Sequence, residues 1–151
     1  MGLDATVDES LVLRSGRLHR VGTVESEAYY GAGLLNPEHW YQKECYCLYS
    51  WAKKNLKRCG GECFVLTEEA VRKLISDCSA ALDFYRSGET DKLRELFPDD
   101  DCEMSWRYGD GKNRYDYRFE GDVEKIKRSM GILLGLATFD DDHVYELSFD
   151  W

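Results

Sequence analysis

Six cysteines give this chain its clearest capacity for metal or redox chemistry: Cys45, Cys47, Cys59, Cys63, Cys78 and Cys102. Cys59 and Cys63 enclose Gly60-Gly61-Glu62, whereas zinc ribbons and knuckles usually begin with a gap of two residues. A site that added Cys45 and Cys47 would need both thiols to face one ion, but residues two apart on a helix point in different directions. Because no export signal precedes them, the cysteines are expected to be thiols. We therefore predict neither a metal site nor a cofactor.

Clustered carboxylates are the strongest signal for a binding function. Aspartate and glutamate number 29 against 20 lysines and arginines, which gives a net charge of −9. The clusters predict a partner-binding surface of Asp99, Asp100, Asp101, Glu103, Asp140, Asp141 and Asp142. Such a surface attracts a basic protein and repels nucleic acid, although carboxylates spaced like phosphates could also fill a DNA- or guide-binding groove. A surface that only maintains solubility is the alternative interpretation.

A second hypothesis comes from the aromatic residues, since the chain has 10 tyrosines and 4 tryptophans. Aromatic rings that stack on a base, beside an arginine that holds phosphate, would form a nucleotide-binding pocket. The residues suited to this role are Trp106, Arg107, Tyr108, Arg114 and Tyr117. The alternative is a core whose amphipathic aromatics lie at its edges.

Catalytic patterns are missing from the sequence. His39 lies near a predicted helix start and His143 follows three aspartates, but neither belongs to a nucleophile arrangement. No nucleophile elbow, phosphate loop, dinucleotide fingerprint or zinc-protease motif is present. We predict that the protein is not an enzyme.

The elements that position these residues follow from periodicity and turn signals. Ser15-Gly16 predicts a hairpin turn between two strands, and further strands are predicted at 63–66, 103–108 and 143–149. Helices are predicted from Asn36-Pro37 to about Arg58, from Thr67 to Ser87-Gly88, and over about 115–136, where internal glycines allow a break. A short helix is expected at about 91–96.

Together these elements predict an α+β fold, with three main helices packed on a small, mostly antiparallel sheet. The length favours one domain over residues 1–151. The first helix has an apolar stripe of Tyr41, Cys45, Leu48 and Ala52, and Trp51 beside it is expected to be buried. No apolar run reaches the roughly 20 residues that cross a bilayer, so we expect a cytoplasmic protein without membrane contact.

Several segments carry a family resemblance. Its basis is five segments: the start Met-Gly-Leu-Asp, the helix Tyr41–Trp51, the segment Cys59-Gly60-Gly61-Glu62-Cys63-Phe64-Val65, Tyr115-Asp116-Tyr117 before Gly121-Asp122, and the tryptophan-ended Ser148-Phe149-Asp150-Trp151. They resemble segments of a family of uncharacterised small bacteriophage and prophage proteins. That family usually has histidine where this chain has Tyr49. The resemblance implies a phage-derived protein that binds a host protein, and thus an inhibitor that helps to evade host defence.

Overall fold

The computed structural model describes residues 4–23, 46–98 and 117–150, and these residues form helices packed on one sheet. The strands are β1 (Asp4–Val12), β2 (Leu18–Thr23), β3 (Arg58–Gly60), β4 (Cys63–Val65) and β5 (His143–Asp150). The helices are α1 (Tyr46–Asn55), α2 (Glu68–Ser87), α3 (Thr90–Leu96) and α4 (Tyr117–Leu136). Three longer helices, one short helix and a sheet confirm the predicted α+β class.

The sheet is antiparallel at every described pairing, and its strand order is β2-β1-β5-β4-β3. The central strand β5 pairs with β1 on one side and with β4 on the other. Tyr145, Leu147 and Phe149 of β5 are buried, whereas Glu146 and Ser148 between them are only half-buried. This alternation gives the sheet one face toward the helices and an opposite face that carries polar side chains.

The first two strands form the predicted hairpin. Its turn contains Ser15 and Gly16, and the Gly16 amide donates to the Leu13 carbonyl over 2.8 Å. Gly16 has a φ of 81°, a conformation that glycine adopts without steric cost. The hairpin tip is exposed.

Helix α1 places Trp51 in the core, as the sequence predicted. Trp51 has 0% of its surface exposed, and Leu48 and Ala52 are buried beside it. Tyr49 packs edge-on against Phe149 of the sheet with ring centroids 5.0 Å apart. The predicted start of this helix at Asn36, with Tyr41 and Cys45 of the stripe, lies outside the described residues.

The predicted end of this helix at Arg58 is wrong. Helix α1 ends at Asn55, whose side-chain amide donates to the Trp51 carbonyl over 2.9 Å. Arg58 instead begins β3, and Gly60 and Gly61 form the turn to β4. Two glycines after a lysine- and arginine-rich helix end also suit a helix C-cap, because glycine adopts positive φ values without steric cost, but a hairpin turn uses the same freedom and pairing with the sheet selects the turn.

Helices α2 and α4 follow their sequence signals closely. Thr67 Oγ1 accepts a hydrogen bond from the Ala70 amide over 3.1 Å, and Gly88 ends α2 with a φ of 76°. Helix α4 continues without a break through its glycines. Buried residues of both helices, among them Leu74 and Ile126, belong to the same core as Trp51.

Two further sequence predictions concern residues that the structure does not describe. The strand predicted at 103–108 lies outside the described residues, and so does His39. No helix in the described part of the chain is long and apolar enough to cross a membrane.

Candidate functional site

The predicted acidic surface is described only in part. Asp140, Asp141 and Asp142 form an exposed turn between α4 and β5, which we call the acidic turn. Asp99, Asp100, Asp101 and Glu103 lie outside the described residues. The structure therefore places three of the seven residues of the predicted surface.

The acidic turn is held in shape by one of its own carboxylates. Asp140 Oδ1 accepts a hydrogen bond from the Asp142 amide over 2.9 Å and lies 2.6 Å from His143 Nδ1. The bond to His143 lowers the pKa of Asp140 from its ordinary value, and the Asp142 amide lowers it further. Asp140 thus orders the turn, and the carboxylates of Asp141 and Asp142 are the better candidates to meet a partner.

His143 lies between carboxylates from two parts of the chain. Its Nε2 is 3.9 Å from Glu9 Oε1, whereas Asp140 contacts its Nδ1. The hydrogen bond with Asp140 raises the pKa of His143, and the charges of Asp140, Glu9 and Asp142 act in the same direction. Glu9 also accepts a hydrogen bond from the Tyr145 hydroxyl over 3.0 Å. An imidazole with a carboxylate near each nitrogen is arranged to form ion pairs.

The acidic turn adjoins the tip of the β1–β2 hairpin. The Val12 amide donates to the Asp142 carbonyl over 2.8 Å, which joins the two segments. Leu13 and Leu18, on either side of the hairpin turn, are 45% and 51% exposed. Arg14 and Arg17 in the same turn are also exposed and limit the negative charge at this end of the sheet. Charged and apolar groups therefore meet on one exposed surface.

A second site lies at the turn between β3 and β4. Cys59 Sγ and Cys63 Sγ approach each other to 2.9 Å across this turn. Gly60 and Gly61 have φ values of 152° and 51°, which allow the chain to reverse between the two thiols. Cys59 is exposed and Cys63 is half-buried. The two thiols can therefore act together on one ion or one reactive group.

Strand β5 supplies a carboxylate to this thiol pair. Glu146 Oε2 lies 3.3 Å from Cys63 Sγ, and Ser148 Oγ donates to the same sulfur over 3.5 Å. Burial raises the pKa of Cys63 to about 12, and contacts with Cys59 and Glu146 act in the same direction. Sequence reasoning missed Glu146, because 83 residues separate it from Cys63 and no local spacing connects them. We call Cys59, Cys63 and Glu146 the thiol–carboxylate cluster.

A neighbouring carboxylate fixes the turn that carries the cluster. The Tyr49 hydroxyl donates to Glu62 Oε2, and Arg58 Nη2 lies 3.6 Å from the same oxygen. Burial, followed by the bond to Glu62, raises the pKa of Tyr49 to about 12. The Glu62 carbonyl also accepts the Phe149 amide over 2.9 Å. The turn is thus anchored to both α1 and β5.

The other cysteines do not join this cluster within the described residues. Cys47 and Cys78 are buried in the core, where burial raises the pKa of each thiol, that of Cys78 to about 12. Cys45 and Cys102 lie outside the described residues. Cys47 therefore does not join Cys59 and Cys63 in the four-cysteine site that was considered from the sequence.

Most residues of the predicted nucleotide pocket lie outside the residues that the structure describes. Trp106, Arg107, Tyr108 and Arg114 are outside the described residues, and Tyr117 is known only as the first residue of α4. The pocket stays a prediction.

No family model matches this chain, and neither a curated protein nor a solved structure matches it.

Proposed function

We propose that this chain is a non-catalytic binding protein that engages a basic surface of another protein through its acidic turn. The observation that supports the proposal is the ordered, exposed turn itself, with Asp141 and Asp142 projecting from a framework fixed by Asp140. A turn whose backbone is already held in place loses less conformational entropy on binding than a mobile one.

The neighbouring hairpin extends this proposed surface. Leu13 and Leu18 offer apolar area beside the carboxylates, and interfaces commonly combine an apolar centre with a charged rim. Exposed leucines alone are ordinary, so the argument depends on their position next to the acidic turn. The phage origin implied by the resemblance would make the partner a host protein and the binding inhibitory.

The experiment is an affinity capture from bacterial lysate at low and moderate salt, with the retained proteins quantified by mass spectrometry. Asp141→Lys with Asp142→Lys reverses both proposed contacts and leaves the Asp140 bonds in place. Asp83→Lys with Asp91→Lys is the matched control, because both residues are exposed on helices α2 and α3 and the charge change is equal. We expect one partner whose retention falls with salt and is lost only with the first double variant.

Two results would contradict the proposal. A partner retained equally at both salt concentrations would not be held by charge. A partner lost equally with the Asp83 and Asp91 reversals would respond to net charge rather than to the acidic turn. A further variant, Leu13→Ser with Leu18→Ser, measures the apolar contribution and is expected to reduce retention at both salt concentrations.

A further inference from the structure

The thiol–carboxylate cluster gathers three metal-binding donors at one point of the sheet. The donor atoms of Cys59, Cys63 and Glu146 all lie within 4.8 Å of one another. Two of the three pairs are closer, since the sulfurs are 2.9 Å apart and Glu146 Oε2 is 3.3 Å from Cys63 Sγ. Donors so close together can share one ion.

The position of each donor follows from the backbone pairing. Cys63 pairs with Ser148 and Val65 pairs with Glu146 across the β4–β5 ladder, so Glu146 and Cys63 are diagonal neighbours on the same face. The turn through Gly60 and Gly61 reverses the chain after Cys59, so that the sulfurs of Cys59 and Cys63 lie 2.9 Å apart. Because the turn is anchored by Glu62 to α1 and β5, the donors are positioned by the fold itself.

We propose that Cys59, Cys63 and Glu146 bind one Zn²⁺ ion, with the fourth position open to water or to a donor from a binding partner. Thiolates and a carboxylate are both established ligands of this ion, and three protein ligands with one open position is the arrangement known from catalytic zinc sites, although no catalytic step is assigned to the ion here. The two thiols release their protons to solvent as the ion binds. Glu62 is not a ligand, because its carboxylate is engaged by Tyr49 and Arg58.

The two shorter distances, between the sulfurs and between Cys63 Sγ and Glu146 Oε2, require only a small adjustment. Tetrahedral Zn²⁺ with bonds of about 2.0–2.3 Å separates its sulfur and oxygen ligands by about 3.5–3.8 Å. The two sulfurs would move apart by less than about 1 Å, which an exposed Cys59 at a turn permits. A disulfide between the same thiols is the competing outcome, but it gives Glu146 no role. The proposal is independent of the acidic turn.

The test begins with the wild-type protein, fully reduced with a phosphine that does not bind the ion. Zn²⁺ is titrated against a chromophoric chelator, and Co²⁺ is used as a spectroscopic substitute. We expect one ion per chain, thiolate-to-cobalt charge transfer, and the visible bands of a tetrahedral site. Zn²⁺ should also slow the alkylation of Cys59 and Cys63 in the unmutated chain, a readout that no folding defect of a variant can affect.

Variants assign the ligands. Cys59→Ser and Cys63→Ser are each expected to weaken Zn²⁺ binding at least about 100-fold, and Glu146→Gln at least about tenfold, since even loss of an outer-shell contact costs 10–100-fold. Cys78→Ala is the matched control, because it removes a thiol buried in α2 and should bind like the wild type. The thermal melt of each variant is recorded to identify any that fails to fold.

Three outcomes would overturn the proposal. Reduced wild-type protein that binds no stoichiometric Zn²⁺, but on air oxidation loses two hydrogens in mass that Cys59→Ser and Cys63→Ser each retain, would assign Cys59 and Cys63 to a disulfide. Binding that survives both cysteine substitutions would place the ion elsewhere. Unchanged binding by folded Glu146→Gln would remove the carboxylate from the ligand set and with it the three-ligand site.

Discussion

Trp51 Nε1 donates a hydrogen bond to Asp77 Oδ2 over 2.9 Å, which links α1 to α2 through a fully buried indole. Lys73 Nζ lies 2.6 Å from the same carboxylate oxygen, so Asp77 bridges a buried ring and an exposed ammonium group. This contact gives the indole nitrogen the partner that a buried tryptophan requires. It also makes Trp51 the first residue to test for stability.

We predict that Trp51→Ala lowers the free energy of unfolding by about 3–5 kcal/mol, the usual cost of removing an aromatic side chain from a core. The loss has two origins, the cavity and the broken hydrogen bond to Asp77. Chemical denaturation of the two proteins gives the measurement.

Lys54→Ala is the control for this substitution. Lys54 is exposed, although its Nζ donates to the Glu95 carbonyl. Because exposed charged contacts contribute little, we expect a change below about 1 kcal/mol. A Trp51→Ala protein that unfolds like the wild type would show that Trp51 does not carry core stability.

We predict that Gly61→Ala destabilises the protein by about 1–2 kcal/mol, because Gly61 has a φ of 51°, in the left-handed region that a Cβ disfavours. The space around this position is open, so the cost comes from the backbone alone. Thermal denaturation measures it.

Gly131→Ala, in the interior of α4, provides the opposite case. A Cβ at this exposed position also meets open space, and the backbone is helical. We expect alanine to stabilise the protein by up to about 1 kcal/mol. If both alanines shift the melting temperature in the same direction, the backbone argument for the β3–β4 turn is wrong.

We predict that the pKa of His143, which Asp140 raises, falls in the Asp140→Asn variant. A raised histidine pKa stabilises the fold fully below the pKa of unfolded histidine, about 6.5, and this contribution is lost as pH rises through the folded-state pKa. The pKa of Asp140 is lowered in the folded state, so Asp140 stabilises the fold at pH values above the pKa of an unfolded aspartate. This contribution is lost as the pH falls through the pKa of Asp140 in the folded state.

An NMR titration of the imidazole resonances checks this prediction directly. Asp141→Asn is the control, since Asp141 makes no hydrogen bond to His143 among those found in the acidic turn. A His143 titration unaltered by Asp140→Asn would mean that the 2.6 Å contact does not form in solution.

We predict that Thr67→Ala costs about 1 kcal/mol of stability, because the hydroxyl of Thr67 caps α2 by accepting from the Ala70 amide. Thr67→Ser retains an oxygen at the same place and should restore most of the loss. Equal destabilisation by serine and alanine would point to the threonine methyl group rather than to the cap.

Local signals in the sequence were sufficient for the helices and turns that depend on nearby residues. The cap at Thr67, the end of α2 at Gly88 and the hairpin turn at Gly16 were all predicted, because each is decided within a few residues. The apolar stripes decided which helical faces are buried, and with them the interior position of Trp51.

Only the tertiary structure decided which side chains surround Cys63 and His143. Glu146 reaches Cys63, and His143 reaches Glu9, only because β5 pairs with β4 on one side and β1 on the other. Strand pairing joins residues that are far apart in the chain, and no periodicity or spacing encodes such partners. The same reason explains Gly60 and Gly61, whose local sequence suits a helix cap and a hairpin turn equally, until the pairing of β3 with β4 selects the turn.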